Sequence, residues 1–172
     1  MAAAGKQWQI SGNGAKIEIK DQSATIKLPS AVSVANFEGD LSSQLSPPGS
    51  GGMLVTLHLW QRLIEKGLRR YGEVYYLGQL PEREQGQRVD CLVGIYAGIE
   101  TCFQFDPQSG NLVGIIMQPN ESVDPCELRL ADYTEIDGRQ LPMSWRVYHG
   151  DELFLQMNVE SWEFTPEAGG QN

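Results

Sequence analysis

The stretch Glu100-Thr-Cys-Phe-Gln-Phe-Asp-Pro-Gln-Ser-Gly-Asn-Leu-Val-Gly-Ile-Ile-Met-Gln118 decides the fold class. Phe103 and Phe105 share one face of an alternating run from Glu100 to Asp106. Asp106-Pro-Gln-Ser-Gly110 then supplies turn chemistry, and Leu112 to Gln118 resumes as a second run of strand length. Two strands joined by so short a link are antiparallel, because parallel neighbours need a crossover of a dozen residues or more.

The same grammar extends in both directions. Toward the C-terminus it predicts strands over Glu127 to Ile136, Pro142 to His149 and Glu152 to Phe164, linked by Asp137-Gly138 and Gly150-Asp151. Toward the N-terminus it predicts Val74 to Gln79 and Arg88 to Tyr96, the latter followed by the turn Ala97-Gly98. At the start of the chain, Ile17 and Ile19 alternate with Lys16, Glu18 and Lys20. After the turn Asp21-Gln-Ser23 the alternation resumes through Ile26 and Leu28 and stops at Pro29. Gly12-Asn13-Gly14 is an earlier turn.

One segment has a different period. From about Leu54 to Tyr71, Leu57, Trp60, Ile64 and Leu68 form a helical stripe, Leu63 widens it, and basic residues crowd the last turn ahead of Gly72. The stripe predicts Trp60, Ile64 and Leu68 buried. Before it, residues 41–52 are rich in Ser, Pro and Gly and read as a flexible loop; residues 166–172 read as a disordered tail. The expected architecture is a mainly β (α+β) single domain over residues 1–172. In it, one antiparallel sheet of at least eight strands curls as a half-barrel around one long helix on its concave face. A sheet so curved leaves space between itself and the helix, where a pocket is expected.

Composition narrows the function. Net charge is −9; residues 1–80 carry eight basic and six acidic side chains, residues 81–172 five and sixteen. Such a balance opposes nucleic-acid binding. The longest apolar run, Met53 to Trp60, is interrupted by Thr56 and His58, so no membrane-spanning segment is expected. Cys91, Cys102 and Cys126 form no C-x-x-C pair and have only His58 and His149 as soft company, so no metal site or cofactor is expected. One disulfide with one free thiol and three buried thiols are both open readings. The N-terminal Met-Ala-Ala-Ala-Gly lacks the features of a secretory signal; it reads either as a native cytosolic start or as the junction left where a signal or an upstream domain was removed, and the early onset of strand pattern favours the second. No catalytic signature is present: Cys102, His149 and Asp151 can be composed into a triad only as a non-specific triple, and the chain is expected not to be an enzyme.

Two segments carry a family resemblance. Phe105-Asp-Pro-Gln-Ser-Gly-Asn-Leu-Val resembles the Phe-Asp-x-x-Thr/Ser-Gly-x-Leu hairpin of the outer-membrane lipoprotein carrier (LolA-like) superfamily. Tyr133-Thr-Glu-Ile-Asp-Gly-Arg-Gln-Leu-Pro142 resembles its Tyr-x-x-Val/Ile-Asp/Asn-Gly-x-x-Leu/Phe-Pro signature, and Gly86 to Leu92 resembles the strand that precedes the hairpin. The resemblance covers about Tyr75 to Phe164. It implies an incomplete barrel with a hydrophobic cavity, a location in the periplasm or cell envelope, and a lipid or acylated protein as partner. The early-strand arginine of the carriers has no counterpart, since the first arginine here is Arg62.

The reading that follows is a non-enzymatic envelope binding domain with a cavity for an acyl chain or other apolar segment. Its expected lining is Trp60, Ile64, Leu92, Phe103, Phe105, Leu128, Leu130, Trp145, Leu155 and Met157. The alternative is an accessory or regulatory module of a larger envelope protein, for example a protease, with a filled core and no ligand.

Overall fold

The computed structural model describes residues 7–82 and 86–166; the expected tail beyond 166 lies outside them. Four strands come first: β1 (Gln7–Gly12), β2 (Ala15–Ile19), β3 (Ser23–Leu28) and β4 (Ala31–Asn36). Helix α1 (Met53–Lys66) and a single turn, α2 (Leu68–Tyr71), follow. The rest is strand: β5 (Glu73–Pro81), β6 (Arg88–Tyr96), β7 (Ile99–Phe105), β8 (Leu112–Gln118), β9 (Cys126–Ile136), β10 (Arg139–His149), β11 (Glu152–Asn158) and β12 (Ser161–Thr165). The fold is mainly β and unclosed, with one main helix against the inner face, as the hairpin grammar requires.

The strands form two antiparallel sheets rather than the single expected one: β12-β1-β2-β3-β4 and β11-β10-β9-β8-β7-β6-β5. The run Glu152 to Phe164 is where they divide. After Asn158 pairs with Ser144, the Val159 N–H donates to the Met143 carbonyl at 2.7 Å. One residue on, the Glu160 N–H donates to the Ser11 carbonyl at 2.7 Å, so the chain passes from one sheet to the other and β12 pairs with β1. Gly12 makes this crossing possible: a Cβ there would stand 2.1 Å from the Asn158 carbonyl oxygen.

Helix α1 lies between the two sheets, packing on β2, β3 and β4 on one side and β8 and β9 on the other. Every residue from Met53 to Gln61 is therefore buried, on all sides of the helix. Its entry is tied down within segment 41–52, expected as a flexible loop: the Ser50 hydroxyl, fully buried, accepts the N–H groups of Gly52 and Met53 at 3.2 and 3.1 Å. The expected stripe needs correction at its far end. Trp60 is buried, at 5% exposure, but Ile64 and Leu68 are 53% and 52% exposed. Met53 to Gln61 are buried on every side, but in the last turn only Leu63 is, so Ile64 is left in solvent, and Leu68 lies beyond α1 in the turn α2. The helix also stops earlier than expected, at Gly67 (φ 70°), whose N–H caps the Leu63 carbonyl. Arg62 fastens the break: its Nε donates to the Tyr71 carbonyl at 2.7 Å, and its guanidinium lies 3.6 Å from the Tyr96 ring centroid.

All four tryptophans of the chain meet where the sheets and helix converge. Trp60 stands 5.3, 5.8 and 5.9 Å from the rings of Trp8, Trp145 and Trp162. Trp145 and Trp162 both donate their ring N–H to the Pro142 carbonyl at 3.2 Å. Large edge-to-face aromatics bury much area with few rotamers, so this cluster is the rigid centre of the core.

Candidate functional site: the two faces of the seven-stranded sheet

Register assigns every strand residue of the larger sheet to a face, since directly opposed residues point the same way. The inner face, toward α1, carries one apolar row across all seven strands: Tyr76, Leu92, Phe103, Ile115, Leu128, Val147 and Leu155. A second inner row joins Leu130, Trp145 and Met157. Phe105 is on the same face of β7 as Phe103, beside Leu112.

The expected lining residues on strands thus share one face, but they do not share one environment. Trp60, Phe103, Leu128, Leu130, Trp145 and Met157 are buried in the one core cluster that also holds residues of α1 and of the smaller sheet. Leu92, Phe105 and Leu155 are only partly buried at its margin. Ile64 is corrected: it points to solvent. The most open margin is at β5, the edge strand, where Tyr76 beside Leu92 is 58% exposed. There α2 packs on β5 and β6, and Tyr71 lies over Gly94, where a Cβ would be 2.5 Å from the ring. Burial pushes the Tyr71 hydroxyl up to about 12.

Polar groups also face inward: Asp90, opposite Phe105, accepts from the Tyr76 hydroxyl at 2.9 Å, and Thr101 is buried opposite Gly94. His58 stacks on Phe37 at 4.0 Å between ring centroids. Burial, then the Arg62 charge, lowers its pKa to about 4, against a smaller opposing pull from Asp21. Cys126 is a free, buried thiol pushed up to about 12 by burial. The composed triad does not assemble: Cys102 is disulfide-bonded to Cys91 on the outer face, whereas His149, opposite Cys126, is on the inner one. Among the described residues no group of three or more His, Cys, Asp or Glu could hold a metal ion, and no helix is long and apolar enough to cross a membrane.

The outer face was not singled out from sequence, and it is where two open recesses lie. Val89, Cys91 and Val93 are buried there without belonging to the main core cluster, so this face has an apolar layer of its own. The smaller recess, about 240 Å³, is lined by Leu80, Pro81, Glu82, Gln104, Val113, Ile116, Glu127 and Arg129. The larger, about 450 Å³, shares Glu82, Val113 and Arg129 with it and adds Arg88, Val89, Asp106, Asp132, Ser144 and Arg146 among others. A sequence signal for this face existed. The Asp137-Gly138 turn, with φ of 52° and 74°, fixes the register of β9 on β10 and so sets Arg129 directly opposite Arg146.

No family model matches the sequence, and no curated protein does. Solved structures do match. A domain described as that of an outer membrane lipoprotein-sorting protein from Vibrio parahaemolyticus superposes with a TM-score of 0.51 at 13% identity, over 92% of this chain and 67% of that one. A LolA superfamily protein from Nitrosomonas europaea gives 0.47 at 10% identity, over 94% of this chain and 84% of that one. With an unclosed antiparallel arrangement wrapped on one main helix, this chain shares the fold of the Vibrio parahaemolyticus domain.

Proposed function

We propose that this chain is a non-enzymatic binding domain of the cell envelope that takes an acyl chain or similar apolar segment at the open margin of its inner face. The observation that carries the reading is the apolar row across all seven strands, which runs out from under α1 at Leu92 and the exposed Tyr76. The shared fold supports it, because the structural relative from Vibrio parahaemolyticus is described as a lipoprotein-sorting domain. A ligand here would lie between α2 and the β5 edge, with Phe105 and Leu92 beneath it.

A second reading is favoured by the filled interior. With Trp60, Phe103, Leu128, Trp145 and Met157 packed together, the domain would be an accessory module of a larger envelope protein, with no ligand. One experiment separates the two: titration of the purified chain with a fluorescent fatty acid, for wild type, Leu92→Ala and Tyr76→Ser. Saturable binding weakened by either substitution, at an unchanged unfolding midpoint, supports the binding domain. Absence of saturable binding overturns it and leaves the accessory module.

A further inference from the structure

Eight large hydrophobic side chains are exposed among the described residues, and five of them, Ile64, Leu68, Tyr75, Tyr76 and Leu77, fall between positions 64 and 77. Such a concentration marks an interaction surface more often than scattered single residues do. Ile64 and Leu68 stand on either side of the helix break at Gly67, with Lys66, Arg69 and Arg70 exposed beside them. The segment is nonetheless fixed to the body of the domain. Tyr71 is fully buried over Gly94, and Arg62 donates to the Tyr71 and Arg70 carbonyls at 2.7 and 3.2 Å.

The charges of this surface are uncompensated. Lys66, Arg69 and Arg70 make no ion pair or side-chain hydrogen bond among the described residues. The nearby carboxylates are engaged or face elsewhere. Glu65 is half-buried and has its own partner. Glu73 and Glu100 both oppose Ile95 on the outer face, whereas α2 lies on the inner one, where Tyr71 covers Gly94. Asp90 accepts the Tyr76 hydroxyl, Glu18 is paired with Lys20 at 2.8 Å, and Asp21 acts on His58, two turns back along α1. The dipole of α1 accounts for Lys66 in its last turn; Arg69 and Arg70 lie past the break, in a single turn with little dipole of its own.

We infer that Ile64, Lys66, Leu68, Arg69 and Arg70, with Tyr76 at their border, dock the domain peripherally on an anionic lipid bilayer. Both halves of the surface have their counterpart there: lipid phosphates for the three cations, and the boundary of the acyl region for the two aliphatic side chains. Tyrosine suits the same depth, with its ring in the apolar boundary and its hydroxyl toward water. A bilayer needs no recess to be recognised, and none of these residues lines either recess of the outer face. The acidic side chains, sixteen of them after position 80, favour an orientation with this surface toward the lipid and the acidic part away from it. The surface adjoins the β5 margin, since α2 packs on β5, but the inference does not depend on an apolar ligand there.

The test is cosedimentation of the whole chain with vesicles of phosphatidylglycerol and phosphatidylcholine in equal parts, and with vesicles of phosphatidylcholine alone. Wild type is compared with Arg69→Gln/Arg70→Gln, Arg69→Lys/Arg70→Lys, Ile64→Ser/Leu68→Ser and Leu92→Ala. All four side chains replaced in the paired variants are exposed, so their unfolding midpoints should stay near that of wild type. Association with the anionic vesicles and not the neutral ones is expected, falling at least about tenfold in the Gln pair and in the Ser pair. The Lys pair should retain it, because a lipid surface reads charge and not the fork geometry of a guanidinium, and added salt should weaken it. No association with anionic vesicles, equal association with neutral ones, or association unmoved by the Gln and Ser pairs overturns the inference. Loss in the Lys pair also overturns it, in favour of a protein partner that reads arginine. Self-association without vesicle binding, abolished by the Ser pair in sedimentation velocity, overturns it in favour of a contact between two copies. Leu92→Ala should bind vesicles as wild type does, and fatty-acid titration needs no vesicles, so failure at the margin and failure here are separately visible.

Discussion

Replacing Trp60 by alanine tests whether the space between helix and sheets is core or cavity. The indole is 5% exposed and meets three other indoles, two of them edge-on at 84° and 86°. Truncating a buried tryptophan costs about 3–5 kcal/mol, combining lost transfer energy with the void left behind. The upper part of that range applies here, because the walls of the void are stiff indoles anchored on two different sheets and collapse poorly. With a urea m-value of about 2 kcal/mol/M, the unfolding midpoint should fall by about 2 M at constant m. Ile64→Ala, four residues further along the same helix, should change stability by no more than about 0.5 kcal/mol because its side chain is half in water. Equilibrium urea unfolding followed by far-UV circular dichroism measures both without relying on tryptophan emission. A loss below about 1 kcal/mol for Trp60→Ala, with altered binding of an apolar dye, would refute the packed-core argument and make Trp60 part of a cavity wall.

Three further outcomes follow from the same geometry. With the Cys91–Cys102 disulfide intact and Cys126 buried, thiol titration should find no reactive group in the native protein and one in denaturant without reductant. Gly12→Ala should destabilise by at least about 2 kcal/mol, since its new methyl would meet the Asn158 carbonyl where the chain changes sheets; thermal unfolding checks this. His58 is neutral when folded down to about pH 4, whereas the unfolded chain binds that proton from 6.5 downward, so stability should fall by about 3 kcal/mol as pH drops through that window. The slope should be shallower in His58→Phe, measured by urea midpoints across pH.

The parts of this fold that were legible in sequence are those governed by neighbours along the chain. The hairpin Glu100–Gln118 could be read because alternation and turn chemistry are local, and the shared face of Phe103 and Phe105 followed from the same alternation; Leu153 and Leu155 do not share a face, because a bulge shifts the register of β11 on β10. The division into two sheets was not legible: β12 pairs with β1, about 150 residues away, and no local pattern distinguishes a strand that stays in its sheet from one that leaves. Strand β4 was missed because Ala31–Asn36 lies at a sheet edge, where Val32 and Val34 face solvent and burial imposes little patterning. The helical stripe misled for a related reason. A helix buried between two sheets has no single apolar face, so the periodicity of Ile64 and Leu68 said nothing about where the sheets end. The outer arginine row lay within reach, since the Asp137-Gly138 turn fixes its register, but nothing in strand alternation sets the outer face apart from any solvated one.

Where an apolar ligand could sit is finally a question of what it would have to displace. To occupy the centre of the half-barrel, a ligand must move α1, which buries Met53, Leu54, Val55, Leu57, Leu59, Trp60 and Leu63. Exposing side chains of this kind costs about 1.5–3 kcal/mol each, so withdrawing the helix costs on the order of 10–20 kcal/mol. That equals or exceeds the whole stability of an ordinary domain, about 5–15 kcal/mol. An acyl chain recovers about 0.8 kcal/mol per methylene buried, so a chain of about sixteen carbons recovers roughly 12 kcal/mol when fully enclosed. Before the cost of ordering the chain is counted, insertion at the centre at best breaks even; with that cost it loses. At the β5 margin nothing need be displaced, since Tyr76 is already exposed and Leu92 half-covered. The same reasoning holds on the outer face, where the recesses beside Arg129 are open without movement of any element. A sheet whose concave side is filled by its own helix therefore leaves an apolar ligand only the rim and the outer face to occupy without unfolding.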